Sequence, residues 1–247
     1  MTKNKETILL IGGSSDLGRE IARQHRGEDV RILIHYGKSL DKITALQKES
    51  PDLDIVPLKA DLERIEDVSA LISAVAKKYG APDKIVHLAA PKSRSIYFRK
   101  SSWEEFDREL NVQLRSAVMI LREFLPLMAE RKKGKVVFVL SSFVLGAPPQ
   151  ATAHYTTAKH ALLGLMQVLA AEYVKHRVNI NAVSPSMMET AFIDGLDKRM
   201  VEITAAQSPL GRHALPTDVA PLVKFLLSPQ ADYIVGANIP VAGGTAY

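Results

Sequence analysis

The chain has 247 residues, 47% of them hydrophobic and 24% charged, an ordinary globular mixture that is long enough to bury a sizeable core. It has no cysteine, which excludes disulfides, thiolate nucleophiles and cysteine zinc sites, and we expect no metal site and a cytoplasmic location. Because the net charge of +5 comes from scattered bases and no apolar run approaches the ~20 residues that span a bilayer, we expect neither a nucleic-acid nor a membrane partner.

Strand-like and helix-like segments alternate along the whole chain. Short apolar or β-branched runs predict strands over 7–11, 30–36, 55–58, 84–90, 135–142, 178–184 and 238–241. Amphipathic stretches predict helices over 16–26, 39–49, 63–79, 103–130, 153–175 and 217–228. This alternation predicts an α/β fold with right-handed βαβ units and a parallel sheet covered on both faces. No linker or repeat interrupts it, so we expect a single domain over 1–247.

A glycine-rich turn follows the first predicted strand. The stretch ILLIGGSSDLGRE places Gly12, Gly13 and Gly18 between that strand and the first helix. Such a turn lets the backbone approach a pyrophosphate at a helix N-terminus. The alternative is a plain strand-to-helix turn with Asp16 as N-cap. The strand–glycine–helix context favours a dinucleotide.

The end of the second predicted strand, HYGKS, bears on cofactor choice. Nucleotide-binding units that prefer NAD carry an acid here, to bind the ribose 2′-hydroxyl. The first acid in this chain is Asp41, inside the next predicted helix, whereas Lys38 and Ser39 could bind a 2′-phosphate. The alternative is a solvated loop lysine. The pattern favours NADP(H), with NAD(H) possible.

Tyr155 and Lys159 are four residues apart in a predicted helix and therefore share one face. Ser142 ends the preceding predicted strand, at the edge where α/β sheets bind ligands. A nearby cation favours the phenolate, so Lys159 could prepare Tyr155 for acid–base work while Ser142 holds a carbonyl oxygen. On spacing alone, an ordinary helix bearing one polar pair is an equal alternative.

Together these motifs resemble the short-chain dehydrogenase/reductase family, over essentially the whole chain. The motifs are GGSSDLG at 12–18, Asp61-Leu62, HLAA at 87–90, Asn111, LSSFVLG at 140–146, YTTAK at 155–159, NAVSPSMMET at 181–190 and VAGG at 241–244. The resemblance implies a doubly wound Rossmann fold with one seven-stranded parallel sheet. It also implies a homo-tetramer or dimer, and reversible reduction of a ketone to a secondary alcohol with a nicotinamide cofactor.

The resemblance further implies roles for single residues. Tyr155 is the general acid in reduction, and Ser142 orients the substrate carbonyl. Lys159 holds the nicotinamide ribose and lowers the pKa of Tyr155, and Asn111 maintains a water-linked proton relay through Lys159. The implied cofactor contacts are Gly12, Ser14, Ser15, Asp16, Leu17, Gly18, His35, Tyr36, Lys38, Asp61, Leu62, Ala89, Ala90, Tyr155, Lys159, Pro185, Ser186, Met188 and Thr190.

The chain departs from the family pattern at several places. Asp16 replaces the middle glycine of the first motif, and His87 and Leu88 stand where two asparagines are common. We interpret His87 as a strand-end residue that braces the fold beneath the cofactor.

Two basic clusters bear on the substrate: Arg131, Lys132 and Lys133, and then Lys175, His176 and Arg177. In the family's 3-oxoacyl-carrier-protein reductases, bases at these places dock the acidic carrier protein. The alternative is two solvated helix ends, where cations complement the dipole. We therefore expect a 3-oxoacyl thioester or similar carbonyl. The alternatives are a polyketide, a sugar, a free alcohol, or a catalytically silent nucleotide-binding scaffold or sensor.

Overall fold

The computed structural model describes residues 5–92, 94–191 and 198–245. Its strands are β1 (Glu6–Ile11), β2 (Val30–Tyr36), β3 (Asp54–Lys59), β4 (Lys84–His87), β5 (Gly134–Val139), β6 (Val178–Pro185) and β7 (Asn238–Val241). Its α-helices are α1 (Asp16–Arg23), α2 (Leu40–Glu49), α3 (Ile65–Tyr79), α4 (Trp103–Glu109), α5 (Ser116–Glu130), α6 (Ala153–Tyr173), α7 (Lys198–Gln207) and α8 (Pro216–Leu226).

The strands form one parallel sheet in the order β3-β2-β1-β4-β5-β6-β7. Alternate residues of each strand feed two apolar layers. On one face, Leu9 and Ile11 pack with α3, α5 and α6; on the other, Ile8 and Leu10 pack with α1, α2 and α8. The predicted doubly wound α/β fold is confirmed. In the described part of the chain, no helix is both long and apolar enough to cross a membrane.

The predicted helix over 103–130 is the main difference from the pattern. It is divided into α4 and α5 by a π-helical turn, Leu110–Arg115. A π turn inserts an extra residue into a helix and is frequent at functional sites. Because this turn changes which side chains face inward, the inward-facing side chains along 103–130 do not follow a regular 3.6-residue period. Helix α7 was not predicted from the sequence at all.

The sheet order reverses between β1 and β4, and this switch point positions the glycine turn. Gly12 follows β1 with a φ of 84°, in the left-handed region that glycine tolerates. A Cβ at Gly12 would lie 2.7 Å from the Cα of Ala89, just beyond β4, and one at Gly18 would lie 2.5 Å from Gly13. The turn is therefore packed too closely for side chains, and the N-terminus of α1 opens at the crevice where α/β sheets bind ligands.

We predict that Gly12→Ala destabilises the fold by about 2–4 kcal/mol, since it combines a left-handed φ with overpacking against Ala89. Gly164→Ala is the matched control, because Gly164 is exposed on α6 with open space around its Cα. There a methyl group should leave stability unchanged or raise it by up to about 1 kcal/mol. Urea unfolding of both variants measures the difference, and equal effects would contradict the close approach.

Candidate active site

His35 braces the glycine turn from inside the sheet. The backbone N–H of Gly12 donates to Nδ1 of His35 at 3.0 Å, and Nε2 of His35 lies 3.1 Å from the carbonyl oxygen of Ala60. Burial lowers the pKa of His35 to about 4, which keeps the ring neutral. Both ring nitrogens bind protein atoms and the side chain is buried within β2, so only backbone atoms of His35 are available to a ligand, and its predicted cofactor contact stays a prediction. Its role is to hold the turn.

Asp16 connects the glycine turn to the segment that follows β6. It begins α1, and its carboxylate accepts a hydrogen bond from the backbone N–H of Ala191 at 2.9 Å while also pairing with Arg19. Burial opposes ionisation, but the Ala191 and Arg19 contacts outweigh it and lower the pKa of Asp16. The aspartate that replaces a glycine is thus used as an anchor for the chain around residue 191.

The other predicted cofactor contacts lie at the carboxyl edge of the sheet. Ser15 caps α1, with its Oγ accepting from the N–H of Gly18 at 3.2 Å. The side chains of Leu17 and Leu62 are buried in the core, so only their backbone atoms are available to a ligand. The following residues are half-buried or exposed at or just beyond the strand ends or the α1 terminus: Ser14, Tyr36, Lys38, Asp61, Ala90, Ser186, Met188 and Thr190. Ala89 and Pro185 are buried at the same edge.

These residues fit a dinucleotide. The turn excludes Cβ atoms at Gly12 and Gly18, so backbone can approach a phosphate closely, and the N-terminus of α1 supplies unpaired N–H groups. Lys38 is an exposed cation in the loop after β2.

Tyr155 and Lys159 meet the end of β5 from one face of α6. The Lys159 side chain is buried, and its Nζ donates to the carbonyl oxygen of Val139 at 2.8 Å. The same Nζ lies 5.5 Å from the centroid of the Tyr155 ring. The hydroxyl of Ser141 hydrogen-bonds Tyr155. A phenol, an ammonium and a hydroxyl are therefore collected at one strand end.

The serine beside Tyr155 is Ser141, whereas the sequence motif pointed to Ser142. Ser141 has an extended backbone (φ −160°, ψ 151°) that continues from β5, and it is buried. Ser142 is half-buried and begins the 3-10 turn Ser142–Val144. Strand β5 ends at Val139, before the predicted end at 142, so Ser141 lies in the extended link to the turn and Ser142 lies within the turn.

Burial dominates the electrostatics of this group. It raises the pKa of Tyr155 well above the ordinary tyrosine value, and Glu109 adds to the rise, while the Ser141 hydrogen bond acts in the opposite direction. Burial also lowers the pKa of Lys159 to about 8. The expectation that Lys159 lowers the pKa of Tyr155 stays a prediction: the lysine cation, 5.5 Å from the ring centroid, favours the phenolate, whereas burial acts against it. Tyr155 is therefore protonated at neutral pH.

Asn111 lies in the π turn, where its Nδ2 donates to Asp107 at 2.7 Å in an exposed pair. Its predicted place in a water-linked relay stays a prediction. The amide that faces inward is Gln113, which is fully buried and donates to the buried carboxylate of Glu109. Neither residue stood out in the sequence, because α4 (WEEFDRE) is mostly charged and gives no apolar background against which a buried carboxylate would be noticed.

His87 behaves as a bracing residue, as the sequence analysis proposed. It is buried at the end of β4, its Nε2 lies 2.9 Å from the Oγ of Ser116, and burial lowers its pKa to about 3.

The predicted docking patch lies at the opposite edge of the sheet. Arg131 and Lys133 precede β5 and form ion pairs with Asp83, and Lys133 also pairs with Glu6. The second cluster precedes β6, at the same amino ends of the strands. The six residues of β5 span ~20 Å, so the patch is separated from Tyr155 by the length of the sheet.

A family model described as enoyl-(acyl carrier protein) reductase matches residues 12–246. The chain is 29% identical over 246 residues to the 3-oxoacyl-[acyl-carrier-protein] reductase FabG of Staphylococcus aureus strain Mu50, covering 98% of each chain. It is 30% identical over 240 residues to the protein of that name from Rickettsia felis, covering 97% of this chain and 96% of the relative.

Solved structures show the same architecture. The crystal structure of levodione reductase matches with a TM-score of 0.88 at 25% identity, covering 97% of this chain and 96% of that one. An actinorhodin polyketide ketoreductase variant solved with NADPH matches with a TM-score of 0.87 at 24% identity, covering 99% and 98%, and at that identity the likeness shows the fold alone. With a family model matching nearly its full length, the chain belongs to the short-chain dehydrogenase/reductase family of oxidoreductases.

Proposed function

We propose that the chain is an NADP(H)-dependent reductase that converts a ketone to a secondary alcohol, with Tyr155 as the proton donor. The observation that carries this proposal is the group formed by buried Ser141, half-buried Tyr155 and buried Lys159 at the carboxyl end of β5. It lies at the same sheet edge as the glycine turn, so a cofactor at that turn and a substrate at Tyr155 would occupy one crevice.

Each residue of this group has a separate role in the reaction. A nicotinamide cofactor supplies the hydride when bound. Tyr155, protonated at neutral pH because of burial, donates its proton to the carbonyl oxygen as negative charge develops there. The Ser141 hydroxyl stabilises the phenolate that remains. Lys159, held by the Val139 carbonyl, places a positive charge beside the ring.

The loop after β2 supports a preference for NADP(H) over NAD(H). The described residues of this loop offer Lys38 as an exposed cation and no carboxylate, which suits a 2′-phosphate. The backbone of the glycine turn and the N-terminus of α1 would hold the pyrophosphate.

A 3-oxoacyl thioester is the substrate class we favour, since relatives at 29–30% identity carry the name 3-oxoacyl-[acyl-carrier-protein] reductase. An acidic carrier protein docked on the basic patch would lie ~20 Å from the same chain's Tyr155, across β5. The substrate would then have to cover that distance on a tether or enter a neighbouring subunit of the expected tetramer or dimer. Assembly state and cytoplasmic location stay predictions.

A panel of NADPH oxidation assays tests the proposal and its alternatives. 3-Oxoacyl thioesters, cyclic diketones, polyketide-like ketones and sugars are compared as substrates. Turnover of one class identifies the substrate, whereas tight NADPH binding without turnover of any class would support the silent scaffold or sensor.

For the proton donor, we predict that Tyr155→Phe lowers kcat roughly 10²–10⁴-fold, because it removes the acid and keeps the ring. NADPH binding, measured by fluorescence titration, should change little. A rate within a few-fold of wild type would show that Tyr155 is not the acid.

Variants of the two serines test whether Ser141, which hydrogen-bonds Tyr155 in the structure, or Ser142, which the motif implies, supports the reaction. We expect Ser141→Ala to lower kcat about 10–100-fold, since a hydrogen bond to a charged group is worth ~1.5–3 kcal/mol. Ser142→Ala is the matched control and should retain most activity. Steady-state rates with saturating cofactor decide between them, and a larger loss in Ser142→Ala would restore the motif-based assignment.

For cofactor preference, we predict that Lys38→Ala weakens NADPH binding about tenfold and leaves NADH binding nearly unchanged, because only NADPH carries the 2′-phosphate. Lys48→Ala, an exposed lysine at the far end of α2, is the control for charge alone. Equal effects of Lys38→Ala on both cofactors would place the phosphate elsewhere.

A further inference from the structure

A short segment between β4 and α4 carries chemistry that the proposed function does not use. Residues 94–103 read RSIYFRKSSW and contain no acid. They include three bases and three aromatic residues: Arg94, Arg99, Lys100, Tyr97, Phe98 and Trp103. The aromatic side chains are exposed, Phe98 by 74%, Trp103 by 68% and Tyr97 by 56%. Neighbouring exposed apolar rings with a polar rim mark an interaction site, and we call residues 94–103 the aromatic–basic segment.

The bases of the aromatic–basic segment are exposed and have no acidic partner. Within the described part of the chain, none of Arg94, Arg99 and Lys100 forms an ion pair. Arg108, further along α4, does form one, with Glu63 at 3.0 Å. Exposed cations without a carboxylate are available to an external anion, and a guanidinium next to an ammonium suits a phosphate.

The aromatic rings form a stack with one open side. Trp103 lies against Phe106 of α4, with the ring centroids 6.0 Å apart and the planes at 8°. Phe98 meets the same ring edge-to-face at 6.5 Å. Because Trp103 packs on Phe106 and is still 68% exposed, its outer face is open to solvent. A further flat ring could stack there.

The aromatic–basic segment lies beside Tyr155. It follows β4 at the carboxyl edge of the sheet, and the backbone N–H of Ile96 donates to the carbonyl oxygen of Ala151 at 2.8 Å, just before α6. Phe106 contacts the ring of His154 at 6.3 Å, and His154 directly precedes Tyr155. A ligand on Trp103 would therefore be close to the first turn of α6. The basic patch, in contrast, is ~20 Å from Tyr155 across β5.

We propose that the aromatic–basic segment binds the phosphorylated adenosine handle of a coenzyme A thioester, with the purine on Trp103 and the phosphates at Arg99 and Lys100. A purine nucleotide joins a flat ring to phosphate anions, as this segment joins an open ring face to unpaired cations. The inference rests on the proposed function, because it names the carrier of the 3-oxoacyl thioester. A nucleotide held at the sheet edge of Tyr155 would present its acyl group without crossing β5.

An acidic carrier protein and an anionic membrane would also be attracted to these bases, but they fit the surface less well. The segment has ten residues, whereas a protein partner typically covers roughly 20–30 residues. Glu104 and Glu105 follow Trp103 in the first turn of α4 and would repel a flat anionic surface. A nucleotide avoids that repulsion, because only its uncharged ring lies on Trp103.

The first test is a direct binding measurement. Trp103 is the only tryptophan of the chain, so its fluorescence reports on this site. Coenzyme A and adenosine 3′,5′-bisphosphate should each quench it saturably, because both carry the purine, and pantetheine should not. The titrations are made with the dinucleotide crevice filled by NADP⁺, since reduced nicotinamide absorbs tryptophan emission. Quenching by pantetheine equal to that by coenzyme A would contradict a nucleotide site.

The second test removes the phosphate contacts. The double variant Arg99→Ala/Lys100→Ala should weaken coenzyme A binding at least tenfold, because two charge-assisted contacts are lost. NADPH binding should change little, and the KM for a 3-oxoacyl coenzyme A thioester should rise at least tenfold if that thioester is turned over. Lys77→Ala, a change of an exposed lysine on α3, is the matched control for charge.

The third test removes the stacking surface. Trp103→Leu keeps an apolar side chain but no aromatic face, and it should weaken coenzyme A binding about tenfold, measured by calorimetry. Trp103 is exposed, so this change should leave the melting temperature nearly unchanged. Binding as tight as in the wild type would show that the purine does not lie on this ring.

The outcomes separate this site from the proposed function. Saturable quenching by coenzyme A without turnover of any carbonyl would remove the proposed function and the thioester with it, while the nucleotide site would stand. Turnover of 3-oxoacyl thioesters without quenching by coenzyme A, or an equal loss of binding in Lys77→Ala, overturns the site alone. Quenching by phosphatidylglycerol vesicles or by an acidic carrier protein, but not by coenzyme A, also overturns it and assigns the segment to that partner.

Discussion

The hydrogen bond from the Lys159 ammonium to the carbonyl of Val139 is the contact on which the arrangement of Ser141, Tyr155 and Lys159 depends. It fixes a buried cation at the end of β5 and ties α6 to the sheet at that point. Tyr155, one turn earlier, is brought to Ser141 by the same contact. A buried ammonium is unfavourable unless its protons are bound, so this carbonyl has to be in place whenever the lysine is charged.

The free energy that offsets the cost of these buried polar groups comes from apolar packing elsewhere in the molecule. Buried polar groups accumulate around β4, β5 and α6, and each of them costs desolvation energy. The two apolar layers on either side of the sheet provide the compensating burial. His35 and His87 are two such buried polar groups, and each ring is neutral. His35 holds the backbone N–H of Gly12 in position, and His87 holds the hydroxyl of Ser116.

Much of the fold was predictable because periodicity and glycine placement are local properties. The seven strands, the glycine turn, and the shared face of Tyr155 and Lys159 follow from spacing within a few residues. The local details that the sequence did not reveal depend on non-local geometry. The π turn decides whether Asn111 or Gln113 faces inward, and hydrogen-bond partners 23 and 25 residues away decide that His35 is bracing. The start of a 3-10 turn decides which serine meets the tyrosine. No pattern of apolar residues encodes these choices.

The anchor from Asp16 to Ala191 has a consequence for how a dinucleotide arrives and departs. An ionised carboxylate at the first residue of α1 neutralises part of the positive end of that helix. We expect the electrostatic attraction for a pyrophosphate to be weaker here than at a turn with glycine in that place, and retention to depend more on close backbone contacts. Binding of a dinucleotide would then depend strongly on the fit of the turn.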